Sequence, residues 1–168
     1  MIKVECKVTN NVSASKVELY DSINRIPFSV FIGERDTFPE SNFYDYYQDQ
    51  VFVSFRFKKS NNSLYEINLI TITHENTIVD QSILNLSNDQ FFSCTLIEND
   101  ELPGSTLPMK LLRRAGSLEL LFNQSTEPVF KYFRIAPNVY LSVDENGFLT
   151  SVVLDGLSAD DIYTILGF

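Results

Sequence analysis

His74 is the chain's single histidine, so a serine or cysteine nucleophile has no other imidazole to serve as its base. It stands in Thr71-Ile-Thr-His74-Glu75, a strand-like run in which neighbouring side chains point to opposite faces. Glu75 therefore diverges from His74 instead of orienting it. No Gly-x-Ser-x-Gly elbow accompanies the imidazole, and no glycine-rich loop is present to cradle phosphate. A solvent-facing or structural histidine is the expectation. Glycoside hydrolysis would need two carboxylates across a bond, and Glu34-Arg-Asp36-Thr-Phe-Pro-Glu40 gathers three acids. Pro39 and the extra residue break the register that would put them on one face of one strand. Glu98-Asn-Asp100-Glu101 and Asp144-Glu-Asn146 could offer oxygens to calcium, but neither follows the 12-residue calcium-loop pattern. One histidine and two cysteines exclude most His/Cys metal sites and any dense disulfide framework. Cys6 and Cys94 lie in strand-like runs and read as buried free thiols, with a disulfide as the alternative. The expectation is a protein without catalytic residues, metal or cofactor.

The elements that would carry these residues are mainly strands. Of the residues, 44% are hydrophobic and 21% charged, a balance that can build a core. The 14 Phe and 8 Tyr favour strands over helices. Period-two alternation marks 2–9, 50–59, 64–73, 77–86 and 90–97, with a short apolar run over 27–33. The pair 50–59 and 64–73, joined by Ser60-Asn-Asn-Ser63, predicts a hairpin. A second hairpin is expected over 139–155, with Asn146-Gly147 supplying a type I′ turn. Residues 109–122 read as a hairpin meeting at Ala115-Gly116, or as a short helix after Pro108 followed by a strand. Ser158 and Asp161 form a capping-box variant before Ile162, Ile165 and Leu166, predicting a short C-terminal helix ended by Gly167. Nothing divides the chain, so residues 1–168 are expected to form one domain, an antiparallel β-sandwich with a short C-terminal helix. The start Met1-Ile-Lys-Val-Glu-Cys6 lacks an apolar signal region, and no run is long enough for a membrane span. Cytoplasmic location and no membrane partner are the expectations.

Charge is segregated along the chain. The formal net charge is -9, which argues against a phosphate-neutralising nucleic-acid binder. Residues 60–109 contain no Lys or Arg but hold Glu66, Glu75, Asp80, Asp89, Glu98, Asp100 and Glu101; residues 135–168 are likewise free of basic residues but hold Asp144, Glu145, Asp155, Asp160 and Asp161. If these stretches adjoin, they make one negative surface that attracts basic partners. The segment 34–50 interleaves acids and rings and reads as a docking loop. Its candidate partner-binding residues are Glu34, Asp36, Glu40, Phe43, Tyr44, Asp45, Tyr46, Tyr47 and Asp49. Tyrosines offer rigid amphipathic area and carboxylates meet Arg and Lys, although two or three of the rings could instead cover the core edge.

In its acidity, small size and lack of catalytic residues, with Glu34 to Asp49 as docking loop, the chain resembles bacterial toxin-immunity proteins of the contact-dependent growth-inhibition type. That resemblance implies a module that binds and neutralises a basic toxin domain, often a nuclease. Met109-Lys-Leu-Leu-Arg-Arg-Ala-Gly-Ser-Leu-Glu-Leu-Leu-Phe122 is instead similar to hairpins of concanavalin-like sandwich domains. This second resemblance implies a carbohydrate-binding module, in which Tyr would replace the absent Trp as sugar platform.

Overall fold

Short runs of alternating apolar and polar residues bury one face each, and here they do so as strands. A computed structural model describes the chain except residues 1, 11, 13–14, 20–27, 33–38, 49–50, 72–76, 81, 83, 85, 87–88, 100–104, 107, 123–130 and 167–168. The elements in order are β1 (Ile2–Thr9), β2 (Ser15–Leu19), β3 (Phe28–Ile32), β4 (Ser41–Gln48), β5 (Val51–Lys58), β6 (Leu64–Thr71) and β7 (Thr77–Val79). There follow β8 (Phe91–Asn99), β9 (Ser105–Thr106), β10 (Met109–Arg114), β11 (Ser117–Phe122), β12 (Lys131–Ala136), β13 (Val139–Val143), β14 (Leu149–Leu154) and the helix α1 (Ala159–Leu166). His74 and Glu75 lie outside the described residues, as do Asp100 and Glu101.

The strands form an eight-stranded sheet ordered β1-β8-β12-β13-β14-β11-β10-β7 and a six-stranded sheet ordered β2-β3-β6-β5-β4-β9. Pairing is antiparallel except for β7 on β10, β9 on β4, and a single rung between β12 and β8. The inner faces meet in an apolar layer. Val53, Ile67 and Leu69 from the smaller sheet face Leu111, Leu118, Leu120, Val152 and Leu154 from the larger one across a void of about 10 Å³. Phe55 and Phe122 meet edge-to-face at 5.8 Å between the sheets. This is the expected mainly-β, sandwich-like arrangement, and that void is too small for more than a water molecule.

The turns explain the register. Asn62 takes a positive φ of 55° in the β5–β6 turn, where Asn61 Oδ1 accepts from the Ser63 amide at 3.1 Å. Residues 109–122 form the hairpin, closed by Gly116 at φ 76°. The β13–β14 hairpin forms, but not through the expected type I′ turn, which would need positive φ at both Asn146 and Gly147. Only Gly147 has one, at 85°. Asp144 dictates the difference: its Oδ1 accepts from the amides of Asn146 at 2.9 Å and Phe148 at 2.8 Å, building a side-chain-closed turn instead. The strand expected over 77–86 ends at Val79, because the Asp80 carboxylate turns back to the Ser82 amide at 2.8 Å. β12 was not anticipated; its type II-like turn into β13 uses Pro137 followed by Asn138 at φ 62°.

The capping box forms as read. Ser158 Oγ accepts from the Asp161 amide at 3.1 Å while Asp161 Oδ2 accepts from the Ser158 amide at 2.9 Å. Ile162, Ile165 and Leu166 are buried in the core; Gly167 lies outside the described residues. Among the described residues, no helix is long and apolar enough to cross a membrane.

Candidate functional site

Ser41 to Gln48 is a strand, not a loop, and strand geometry sorts its rings. Phe43, Asp45 and Tyr47 project outward, while Tyr44 and Tyr46 turn to the core. Tyr46 is 3% exposed and meets Phe55 at 6.4 Å; Tyr44 meets Phe57 at 5.7 Å. These two rings therefore hold β4 to β5; Tyr46 is too buried to anchor a partner, while Tyr44 stays half-buried. Phe43 and Tyr47, at 49% and 44% exposure, are the accessible pair. Successive outward residues lie roughly 7 Å apart, so the rings flank Asp45 on either side. Glu40 is exposed beside them, 3.8 Å from Lys59. Glu34, Asp36 and Asp49 lie outside the described residues.

β4 also lies near the sheet margin. The Lys59 amide donates to the Glu40 carbonyl at 2.8 Å, which sets the alternation of the β4–β5 ladder. The backbone groups of Phe43 and Asp45 consequently point away from β5. On that side, β9 pairs only with Tyr46 and Tyr47.

Arg56, opposite Phe43 on β5, covers one face of that ring at 4.5 Å and pairs with Glu66 at 2.8 Å. Glu66 is only 4% exposed. One acid of the basic-free stretch 60–109 is thus spent inside the protein rather than on its surface. Beside it, Ser29 Oγ donates to Asn68 Oδ1.

A second charge cluster lies on the outward face of the larger sheet. Glu119 is 1% exposed. Its Oε1 accepts from Tyr132 and Ser151, each at 2.9 Å; its Oε2 accepts from Arg114 Nη2 at 2.9 Å and Nε at 3.3 Å. Arg114 Nη1 reaches Asp80 at 2.6 Å and also donates to Ser82 Oγ. Because Ser151 gives its one proton to Glu119, it must accept from Ser142 at 2.7 Å, and Ser142 in turn accepts from Thr150 at 2.7 Å. Burial, and then the charge of Glu119, push the Tyr132 phenol well above its ordinary pKa. Four donors fill the four lone-pair positions of the carboxylate. The cluster ties β10, β11, β12 and β14 together through one carboxylate. Sequence reading missed it: Ser117, Glu119 and Leu121 look like a solvated strand face.

The two basic-free stretches meet in part. Lys3 pairs in register with Glu98 on one side and bridges Phe148 on the other. This brings the end of β8 and the turn bearing Asp144 and Glu145 to opposite flanks of β1. Asp155 and the capping-box acids instead sit at the other end of β14, roughly 17–20 Å away over six strand residues. The acids of the two stretches thus lie at both ends of the larger sheet, while Glu75, Asp100 and Glu101 are outside the described residues. Among the described residues, no cluster of three His, Cys, Asp or Glu could hold a metal ion. Compared with protein-family models and with curated proteins, the chain matches none.

Proposed function

We propose that this protein is a non-enzymatic, acidic module that binds and neutralises a basic protein partner, a toxin domain such as a nuclease. The observation that carries the reading is the outer face of β4, where Phe43 and Tyr47 stand exposed on either side of Asp45. Exposed rings beside carboxylates suit a partner rich in Arg, since the ring faces take the guanidinium plane and Asp45 and Glu40 take its charge. The net charge of -9 supplies long-range attraction. The same two rings, roughly 14 Å apart along one strand, would also suit an extended sugar, which is the second reading.

Capture from the native host at about 50 mM and about 500 mM salt separates the two. Electrostatic capture of a basic protein should weaken as screening rises, whereas sugar binding should hardly respond. Asp45→Asn and Tyr47→Ala should each weaken partner binding by tenfold or more if these are central contacts. Variants that bind within twofold of the parent would place the interface elsewhere.

A further inference from the structure

β1 and β8 bring Cys6 and Cys94 directly opposite each other. Their geometry follows from hydrogen bonds two residues away. Val4 and Leu96 are also partners, yet the Val4 amide donates to Gly147 and the Leu96 amide to Asn62. Both amides point out of the β1–β8 ribbon, so Val4 and Leu96 form a non-hydrogen-bonded pair. Two residues on, Cys6 and Cys94 have the same character, in which Cα atoms lie about 4.5 Å apart and side chains are closest. That spacing lies within the roughly 4.4–6.8 Å range spanned by disulfides. Both side chains point to the core face, with Cys94 buried among core residues and Cys6 half-buried against them. Both are thiols in this structure.

We infer that Cys6 and Cys94 form a redox site in which Cys6 is the thiol oxidised first and Cys94 the resolving thiol. Three observations order the roles. Cys6 lies on the marginal strand of its sheet and is the more accessible sulfur. Contact between the two side chains draws the Cys6 thiol below its ordinary pKa, while the same contact and burial push the Cys94 thiol well above its own. Partial burial and then the Glu5 carboxylate act against thiolate at Cys6, and Lys131 offsets only part of them, so the contact with Cys94 decides the direction.

With hydrogen peroxide as oxidant the chemistry balances. The Cys6 thiolate attacks one peroxide oxygen, the O–O bond breaks, and a proton completes water as leaving group, leaving Cys6 as sulfenic acid. The Cys94 sulfur then displaces the sulfenic oxygen as a second water, and the S–S bond forms. Two thiols lose two electrons and two protons to one peroxide.

The test treats the reduced full chain with a small excess of hydrogen peroxide, then alkylates and measures intact mass. A monomer about 2 Da lighter, with neither cysteine alkylated and a dithiothreitol-reversible Cys6–Cys94 peptide, is expected. Cys94→Ala should leave a Cys6 sulfenic acid trappable by dimedone, and Cys6→Ser should abolish peroxide consumption by Cys94. Three results would each overturn the inference: Cys6 carried to sulfinic acid while Cys94 stays a thiol, disulfides only between chains, or both thiols intact at peroxide levels that oxidise free cysteine.

Discussion

Arg114→Met would remove the guanidinium that serves Glu119 while keeping an unbranched apolar stem in its place. Arg114 is 8% exposed and Glu119 1%, so water cannot take over the two N–H bonds lost at Oε2. Removing one partner of a buried pair costs about 3–5 kcal/mol. A loss of that size at pH 7, about 3–5 kcal/mol, is therefore expected. Urea unfolding followed by circular dichroism measures it, provided the m-value is unchanged. The double variant Arg114→Met, Glu119→Leu should recover part of the loss, because no fully buried charge is left unpaired, although Asp80 loses its partner and Tyr132 and Ser151 lose their acceptor. A penalty under about 1 kcal/mol at pH 7, the scale of a surface ion pair, would refute a closed, dry carboxylate clamp.

Tyr46→Ala should cost about 3–5 kcal/mol in urea unfolding, whereas the exposed Tyr47→Ala should stay within about 0.5 kcal/mol; equal losses would mean that β4 does not sort its rings as described. Ser158→Ala should cost about 1 kcal/mol by opening the helix cap. The Ser158 hydrogen bonds hold the Asp161 carboxyl below its ordinary pKa. The cap's ionic contribution is thus present above about pH 4 and lost as pH falls through the depressed folded value, which helix ellipticity in an acid titration would follow. Spectrophotometric titration in base should leave the Tyr132 phenol protonated after exposed tyrosines have ionised. Its folded pKa is raised, so the stabilisation is complete below about pH 10 and fades as pH climbs toward that folded value. Tyr132→Phe should remove the late-titrating phenol.

Much of this fold is legible because strand and turn signals coincide. Val53, Phe55 and Phe57 alternate on β5 beside a turn whose Asn61 and Asn62 close it, so pattern and punctuation agree. β4 resists such reading because Phe43, Tyr44, Tyr46 and Tyr47 put rings on both faces. Period two is hidden when both parities are aromatic, and the run resembles a binding loop. Glu119 escapes notice for the opposite reason. The alternation of Leu118, Leu120 and Phe122 is clear, but it labels the other parity as wet. Only tertiary structure shows that Glu119, Ser142 and Ser151 are dry. The Glu66 charge is likewise cancelled by Arg56 on an adjacent strand, a long-range neutralisation that residue counts along the chain cannot register. The cysteine pair was visible as two strand residues, while their face-to-face placement depends on the register of β1 against β8.

The pairing of Ile2 with Asn99 and Thr9 with Phe91 sets an order of events at the ribosome. About ninety residues must be made after β1 before its partner exists, and at about 5–20 residues per second that is a wait of roughly 5–20 s. During it, Ile2, Val4 and Cys6 are a nascent apolar edge with no ladder to join. Lys3, Glu5 and Lys7 alternate with them, so any foreign strand that docks there must also accommodate charges of both signs, which disfavours aggregation. The charged parity of β1 thus protects the chain before it has a fold to stabilise.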